Sequence, residues 1–285
     1  MKKITAINEA IQKAIEVATL KAAGRELQEP DYNAAIAIWM PPMINSSKTF
    51  PNVIFGGCFI HQSPKATFVG KDSTISTCEV GDLLAICHEV VDGDDRYNAA
   101  LIQWKLLKAG IEKITGSALK QLDLYEHWPV FTLNTCPGQF DILPKTVSPG
   151  AQYGLILNSS SLSLACRIPS EVLRMEDSTS LARFIINFMK WQTGRPVELD
   201  AAQGNADEWS RLVEHLIKNS LGKRFKRANI DTKDIRASKE LLKLLISHSG
   251  DNTSNSAVSN DSEHCIDGIS IIFIEKDIDE KEKKD

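Results

Sequence analysis

The sequence predicts an α/β fold, a mixed sheet flanked by helices, with a mainly helical C-terminal part. Three observations carry this expectation. Near the start, Ile4, Ile7, Ile11, Ala14, Ile15 and Ala18 recur at helical spacing. Leu83 to Cys87 is an unbroken apolar run, as a strand covered on both faces requires. Leu181–Trp191, Trp209–Leu221 and Asp234–His248 then read as helices in the second half.

Taken in order, the first helix is amphipathic and stops at Gly24. A turn signal follows, then an apolar run from Ala34 to Met40 closed by Pro41 and Pro42, which predicts a first strand. Val53 to Ile60 predicts another, in which Gly56 and Gly57 mark a bulge or a close backbone approach. Residues 62 to 77 are polar, a flap or a solvated connection. The stretch from Glu79 to Lys105 predicts two strands joined by the turn Asp92-Gly93-Asp94-Asp95. Folding back about that turn brings Asp82, at the start of one strand, opposite Gln103-Trp104-Lys105 at the end of the other. A helix capped by Ser117 runs to His127 and places Gln121 and Tyr125 on one face. Residues 129 to 151 hold too many prolines and glycines for regular structure. Tyr153 to Asn158 predicts a further strand, Leu162 to Ile168 a short apolar run, and Ile266 to Ile274 a late strand. Asp207 is placed as the cap of the Trp209–Leu221 helix. These elements divide the chain into a core at 1–158, a mainly helical part with the late strand at 159–276 packed on it, and a charged tail at 277–285.

Composition narrows the function. The 285 residues are 42% hydrophobic and 25% charged with a net charge of −4, so no global basic field coats nucleic acid and any such contact comes from a local patch. The candidates are Lys108, Lys113 and the GKRFKR cluster with Lys223, Arg224, Lys226 and Arg227. No apolar run is long enough for a bilayer, and Asn8, Glu9, Gln12, Lys13 and Glu16 interrupt the opening as a signal peptide would not. A cytoplasmic protein is expected, with no membrane partner. The six cysteines form no C-x-x-C pair. Zinc sites pairing Cys58 with His61 or Cys87 with His88 are disfavoured, because adjacent strand residues point to opposite faces. Buried reduced thiols are expected instead, and a cysteine hydrolase built on Cys136 or Cys265 lacks a matched histidine. The phosphate-loop, dinucleotide, zincin and nucleophile-elbow motifs are absent. If the activity needs ATP, a partner ATPase or sensor subunit supplies it.

One carboxylate, one amide and one ammonium meeting at a sheet edge suit metal-assisted phosphodiester chemistry. A divalent ion stabilises charge growing on phosphate and activates water. A hard ion, Mg²⁺ or Mn²⁺, takes oxygen ligands, for which Asp82 is the first candidate and the Gln103 carbonyl oxygen the second. Lys105 is a compact charge able to place the water or neutralise the phosphate.

The element order, with GDLLA, LIQWK and QLDLY, resembles the PD-(D/E)xK nuclease superfamily over roughly residues 1–158. Its Gln-x-Lys form is similar to that of Mrr-like restriction enzymes and defence-associated nucleases, and QLDLY resembles the Gln/Tyr helix motif of RecB-type nucleases. The resemblance implies a restriction-endonuclease-like fold, DNA as substrate, the Trp104 backbone carbonyl as a metal ligand, and Gln121 and Tyr125 contacting phosphate or holding Lys105. It also implies a second carboxylate, from Glu79 or from Glu9 or Glu16 on the first helix. A second class stays open: a subunit of the same fold, weakened by Gln103 in place of Glu, that acts in nucleic-acid binding or assembly.

Overall fold

The computed structural model describes residues 1–60, 64–158, 162–199, 207–221 and 269–276. The predicted first helix is α1 (Lys2–Lys21), which buries Ile7, Ala10, Ile11, Ala14, Ile15 and Ala18 on one face. Gly24 lies just beyond its end with φ +90°, where glycine avoids the steric cost of a Cβ.

The predicted first strand is instead helix. The Asp31 side chain accepts from the Gln28 N–H at 2.9 Å, opening α2 (Glu29–Ala34). The run continues as a π-helical turn at Ala35–Trp39 and then as α3 (Met40–Ser46). Pro41 and Pro42 fall in the first turn of α3, where a missing N–H costs little. The apolar run carries no strand alternation because these residues are buried on all sides, Ala34 to Ala37 being 1% exposed or less.

The central sheet contains β1 (Val53–Cys58), β4 (Leu83–Val91), β5 (Asp94–Leu106), β9 (Ala151–Leu157), β10 (Ser163–Arg167), β12 (Thr179–Ser180) and β14 (Ser270–Lys276). Their order is β1-β14-β4-β5-β9-β10-β12, and β13 (Arg195–Val197) pairs with β5. The sheet is mixed: β4 and β5 form an antiparallel hairpin, while β9 lies parallel to β5 and β14 parallel to β4. Asp92 and Gly93 both have positive φ, 56° and 90°, the left-handed pair that a two-residue hairpin turn requires.

Side chains alternate across the hairpin, so its two faces feed two cores. Leu83, Ala85, Cys87, Ala100, Ile102 and Trp104 pack with α1 to α3 and with α5 (Leu181–Met189). Leu84, Ile86, Ala99 and Leu101 pack with α4 (Ala118–His127) and α6 (Glu208–Leu221). Double cover explains the unbroken apolar run of β4, where Leu83 to Cys87 are fully buried.

Both polar stretches read as irregular hold strands. The described part of 62–77 forms β2 (Lys65–Val69) and most of β3 (Ile75–Glu79), and 129–151 contributes β7 (Phe131–Leu133) and β8 (Cys136–Phe140). Together they make a second sheet in the order β3-β2-β7-β8. Phe131 and Phe140 stack across it, with ring centroids 5.3 Å apart. Breakers between the short strands, and Pro137 and Gly138 within β8 itself, made the sequence look irregular.

The described residues of the C-terminal part hold strands beside α5 and α6. Of these strands, β10, β12, β13 and β14 join the central sheet, and β11 (Val172–Arg174) pairs with β6 (Ile111–Lys113). β14 lies in the middle of the sheet, so the described residues of the two predicted parts share one sheet. Asp207 does cap α6, its Oδ1 accepting from Ser210 N–H at 2.7 Å. The GKRFKR cluster with Lys223, Arg224, Lys226 and Arg227, the expected helix Asp234–His248, the tail, His61 and Cys265 lie outside the described residues. Among the described residues no helix is long and apolar enough to cross a membrane.

Candidate active site

The site exists because β5 is longer than its hairpin partner. β4 begins at Leu83, opposite Ile102, and β5 runs on through Leu106 while β9 still covers its other edge, Leu106 pairing with Ile156. Backbone groups on the uncovered edge need partners, and two carboxylates supply them. Asp82 Oδ2 accepts from Trp104 N–H at 2.7 Å, and Glu29 Oε1 accepts from Leu106 N–H at 2.9 Å. The N–H and C=O of one strand residue leave on the same edge, so the Trp104 carbonyl lies between these two carboxylates.

Asp82 is held at both ends. Its N–H donates to Ile102 O at 2.9 Å, and its carbonyl accepts from Asn33 Nδ2 at 2.8 Å. Oδ2 also accepts from Gln103 Nε2, which leaves Oδ1 without a hydrogen-bond donor among the described residues. The carboxylate keeps part of its surface open to a cleft of about 370 Å³ lined also by Glu29, Asn33, Glu79, Gln103, Lys105 and Gln121. Burial pushes its pKa up to about 7; Glu79 and Glu29 add to the rise, while the Trp104 N–H and Lys105 oppose it.

A chain of amides fixes the orientation of Gln103. Gln121 Nε2 donates to the Glu79 carbonyl at 2.9 Å and to Gln103 Oε1 at 2.5 Å. A backbone carbonyl only accepts, so the Gln121 nitrogen must face it. The Gln103 oxygen is then engaged by Gln121, and its nitrogen faces Asp82. The Gln103 oxygen, expected to face a metal, is thus turned to Gln121, and the Gln103 nitrogen is turned to Asp82.

Other expected roles change too. Gln121 supports Gln103 rather than Lys105. Tyr125 is fully buried and donates to the Val80 carbonyl at 2.8 Å, which removes it from contact with phosphate; burial raises its pKa well above the usual phenol value. Ser117 occupies the cap position of α4 without a side-chain capping bond. Glu79 lines the cleft as expected, but Glu9 and Glu16 are exposed on α1 and outside its lining. Lys108 and Lys113 are exposed and do not line the cleft either.

Glu29 and Asn33 fall where the sequence predicts a turn ahead of a strand, whereas the structure places them on α2. The helix-start pattern of Gln28, Pro30 and Asp31 was the signal that would have placed them. Cys78, also in the lining, has its pKa pushed up to about 12 chiefly by burial, so the thiol stays protonated and unreactive.

Among the described residues no three His, Cys, Asp or Glu side chains gather closely enough to hold a metal ion. The thiolate alternatives gain nothing: Cys87 points into the helix-covered core, whereas His88 Nε2 pairs with Asp95 at 2.7 Å. The cleft does offer hard oxygen donors, Asp82 Oδ1 foremost. Mg²⁺ retains several waters and needs only one or two protein carboxylates, so this donor set fits it.

Replacing Gln121 with Ala frees the Gln103 amide to rotate. The expected result is weaker Mn²⁺ binding by about tenfold, as for the loss of a group that orients a ligand. Calorimetric titration checks it; an affinity equal to that of the wild type would remove Gln121 from the support of Asp82. Comparison of the chain with protein-family models, curated proteins and solved structures gives no match.

Proposed function

We propose that this cleft hydrolyses phosphodiester bonds in DNA with Mg²⁺ or Mn²⁺, on a restriction-endonuclease-like core. The observation that carries the reading is the β5 overhang, which brings Asp82, the Trp104 carbonyl edge and Lys105 to one place. The order of α1, β1, the β4–β5 hairpin, α4 and a β9 strand parallel to β5 supports the fold that the motifs resemble, with β14 inserted between β1 and β4.

A bound divalent ion would neutralise the acidic cleft and lower the pKa of a coordinated water. Asp82 Oδ1 and the Trp104 carbonyl would hold it, with Glu29 or Glu79 completing the ligands through water. Gln103, locked by Gln121, keeps Asp82 Oδ2 occupied and so directs Oδ1 to the cleft. Lys105, on the same strand face as Gln103, brings the one positive side chain among the cleft-lining residues to a phosphate oxygen or to the attacking water. The balance of three carboxylates against one lysine repels bare phosphate, which makes binding of DNA dependent on the cation.

The test is incubation of plasmid DNA with the purified protein and Mg²⁺ or Mn²⁺, with and without a candidate partner, beside Lys105→Met. Cleavage that falls about 10²-fold in the variant supports the assignment. Equal cleavage by both proteins rejects it. Binding of DNA without cleavage under any condition favours the second reading, a nucleic-acid-binding or assembly subunit, for which the engagement of Gln103 Oε1 by Gln121 is the supporting observation.

A further inference from the structure

Asn33 is 5% exposed and lies on α2, far in sequence from the three groups that its side chain bonds. Its Oδ1 accepts from the Trp104 indole Nε1 at 3.2 Å. Indole nitrogen only donates, so this contact fixes the orientation of the carboxamide. Nδ2 is then turned to the Asp82 carbonyl at 2.8 Å and to Ser270 Oγ at 3.1 Å.

Ser270 is the first residue of β14 and is fully buried. Its hydroxyl accepts from Ile60 N–H at 3.0 Å and donates to the Ile60 carbonyl at 2.9 Å. Ser270 also stands opposite Leu83, the residue after Asp82, in the parallel β14–β4 pair. Four segments therefore meet at one carboxamide: α2, the Asp82 turn, the end of β5 and the start of β14.

Resting on the reading of the cleft given above, we propose that Asn33 is a positioning residue. It pins the backbone of Asp82 to Trp104 and to the late strand β14, so that the candidate metal site takes shape only when the C-terminal strand is in place. Asn33 is the side chain that donates to the Asp82 carbonyl. The Asp82 side chain and N–H reach toward β5. Without Asn33, the Asp82 carbonyl loses its side-chain donor and the turn loses its link to the Trp104 indole. A buried polar network of this kind specifies one arrangement only when every member is satisfied, and each of the three Asn33 contacts removes a different degree of freedom. Trp104 orients the amide, Ser270 locates α2 against the sheet, and Asp82 receives the constraint.

Two variants of the full chain test the proposal. Asn33→Ala removes all three bonds; Asn33→Asp keeps the shape and the Trp104 bond but turns an oxygen toward the Asp82 carbonyl. Hydrogen exchange at the Asp82 amide reads the turn directly in the absence of metal, and calorimetric titration with Mn²⁺ reads the site. The expected result in both variants is exchange at Asp82 at least tenfold faster than in the wild type, with the sheet amides of β4 beyond Leu84 unchanged. Mn²⁺ affinity falls at least tenfold in Asn33→Ala. Asp82 exchange within threefold of wild type in the folded Asn33→Asp protein overturns the proposal, whatever happens to the melting temperature. Faster exchange across the whole of β4 overturns it as well, because Asn33 then only stabilises the fold. If the wild type binds no Mn²⁺ while Asp82 exchange accelerates selectively in the variants, the positioning role stands and the metal-dependent reading of the cleft fails.

Discussion

Asp82→Asn is expected to lower DNA cleavage by about 10³-fold, at the upper end for loss of a charge-stabilising group, while making the protein more stable above neutral pH. The substitution is nearly isosteric, and the new amide oxygen still accepts from Trp104 N–H and Gln103 Nε2. What it removes is a carboxylate whose pKa is lifted to about 7, mainly by burial. An unfolded chain titrates that carboxyl at about 3.9. Between the two values the folded state holds a proton that the unfolded state has lost, so stability declines as pH rises through the window. The asparagine variant escapes that decline, and wild type saturated with Mn²⁺ should escape part of it because the cation offsets the charge. Melting curves at pH 5 and pH 8, with and without Mn²⁺, check the sign, and plasmid assays check activity. Retained cleavage, or a variant less stable than wild type at pH 8, would count against Asp82 as the buried functional carboxylate.

Gly57→Ala is expected to cost about 3 kcal/mol of stability, the upper part of the usual range for forcing atoms into a filled core. A Cβ at Gly57 would lie 2.2 Å from the Ala37 carbonyl oxygen and 2.7 Å from that of Ile271. Both neighbours are backbone, one in the π-helical turn and one in β14, so no side chain can swing aside. The strain would move the helical segment that carries Glu29 and Asn33, and activity should fall with stability. Urea unfolding measures the loss; a midpoint near that of wild type would show that the segment yields easily. The register of β1 against β14 is continuous from Val53 to Cys58, which selects the close approach over the bulge as the reason for this glycine.

Much of the site was legible because hairpins are local. Asp82 and Gln103 are close since β4 and β5 pair about a turn whose residues announce it, and alternation along β5 puts Gln103 and Lys105 on one face with Trp104 on the other. The helix bearing Gln121 was legible from its period. Its purpose was not, because nothing in QLDLY says that the Gln121 nitrogen meets the Glu79 carbonyl. The Ala34–Met40 run misled for a different reason. An apolar stretch buried on every side has neither helical nor strand periodicity, and the prolines ending it are equally at home in the first turn of another helix.

By itself, then, the sequence determined the α1 helix, the β4–β5 hairpin with its turn, and the placement of an acid, an amide and a lysine at one end of that hairpin. These rest on interactions between residues near in the chain, where spacing translates directly into geometry. Only the tertiary structure decided that Glu29 and Asn33 complete the cleft, that Gln103 points its nitrogen at Asp82, and that β14 enters the middle of the sheet beside β4. Each depends on contacts between segments far apart in sequence, up to the 237 residues that separate Asn33 from Ser270. The burial created by those contacts is also what pushes the Asp82 carboxyl toward neutrality.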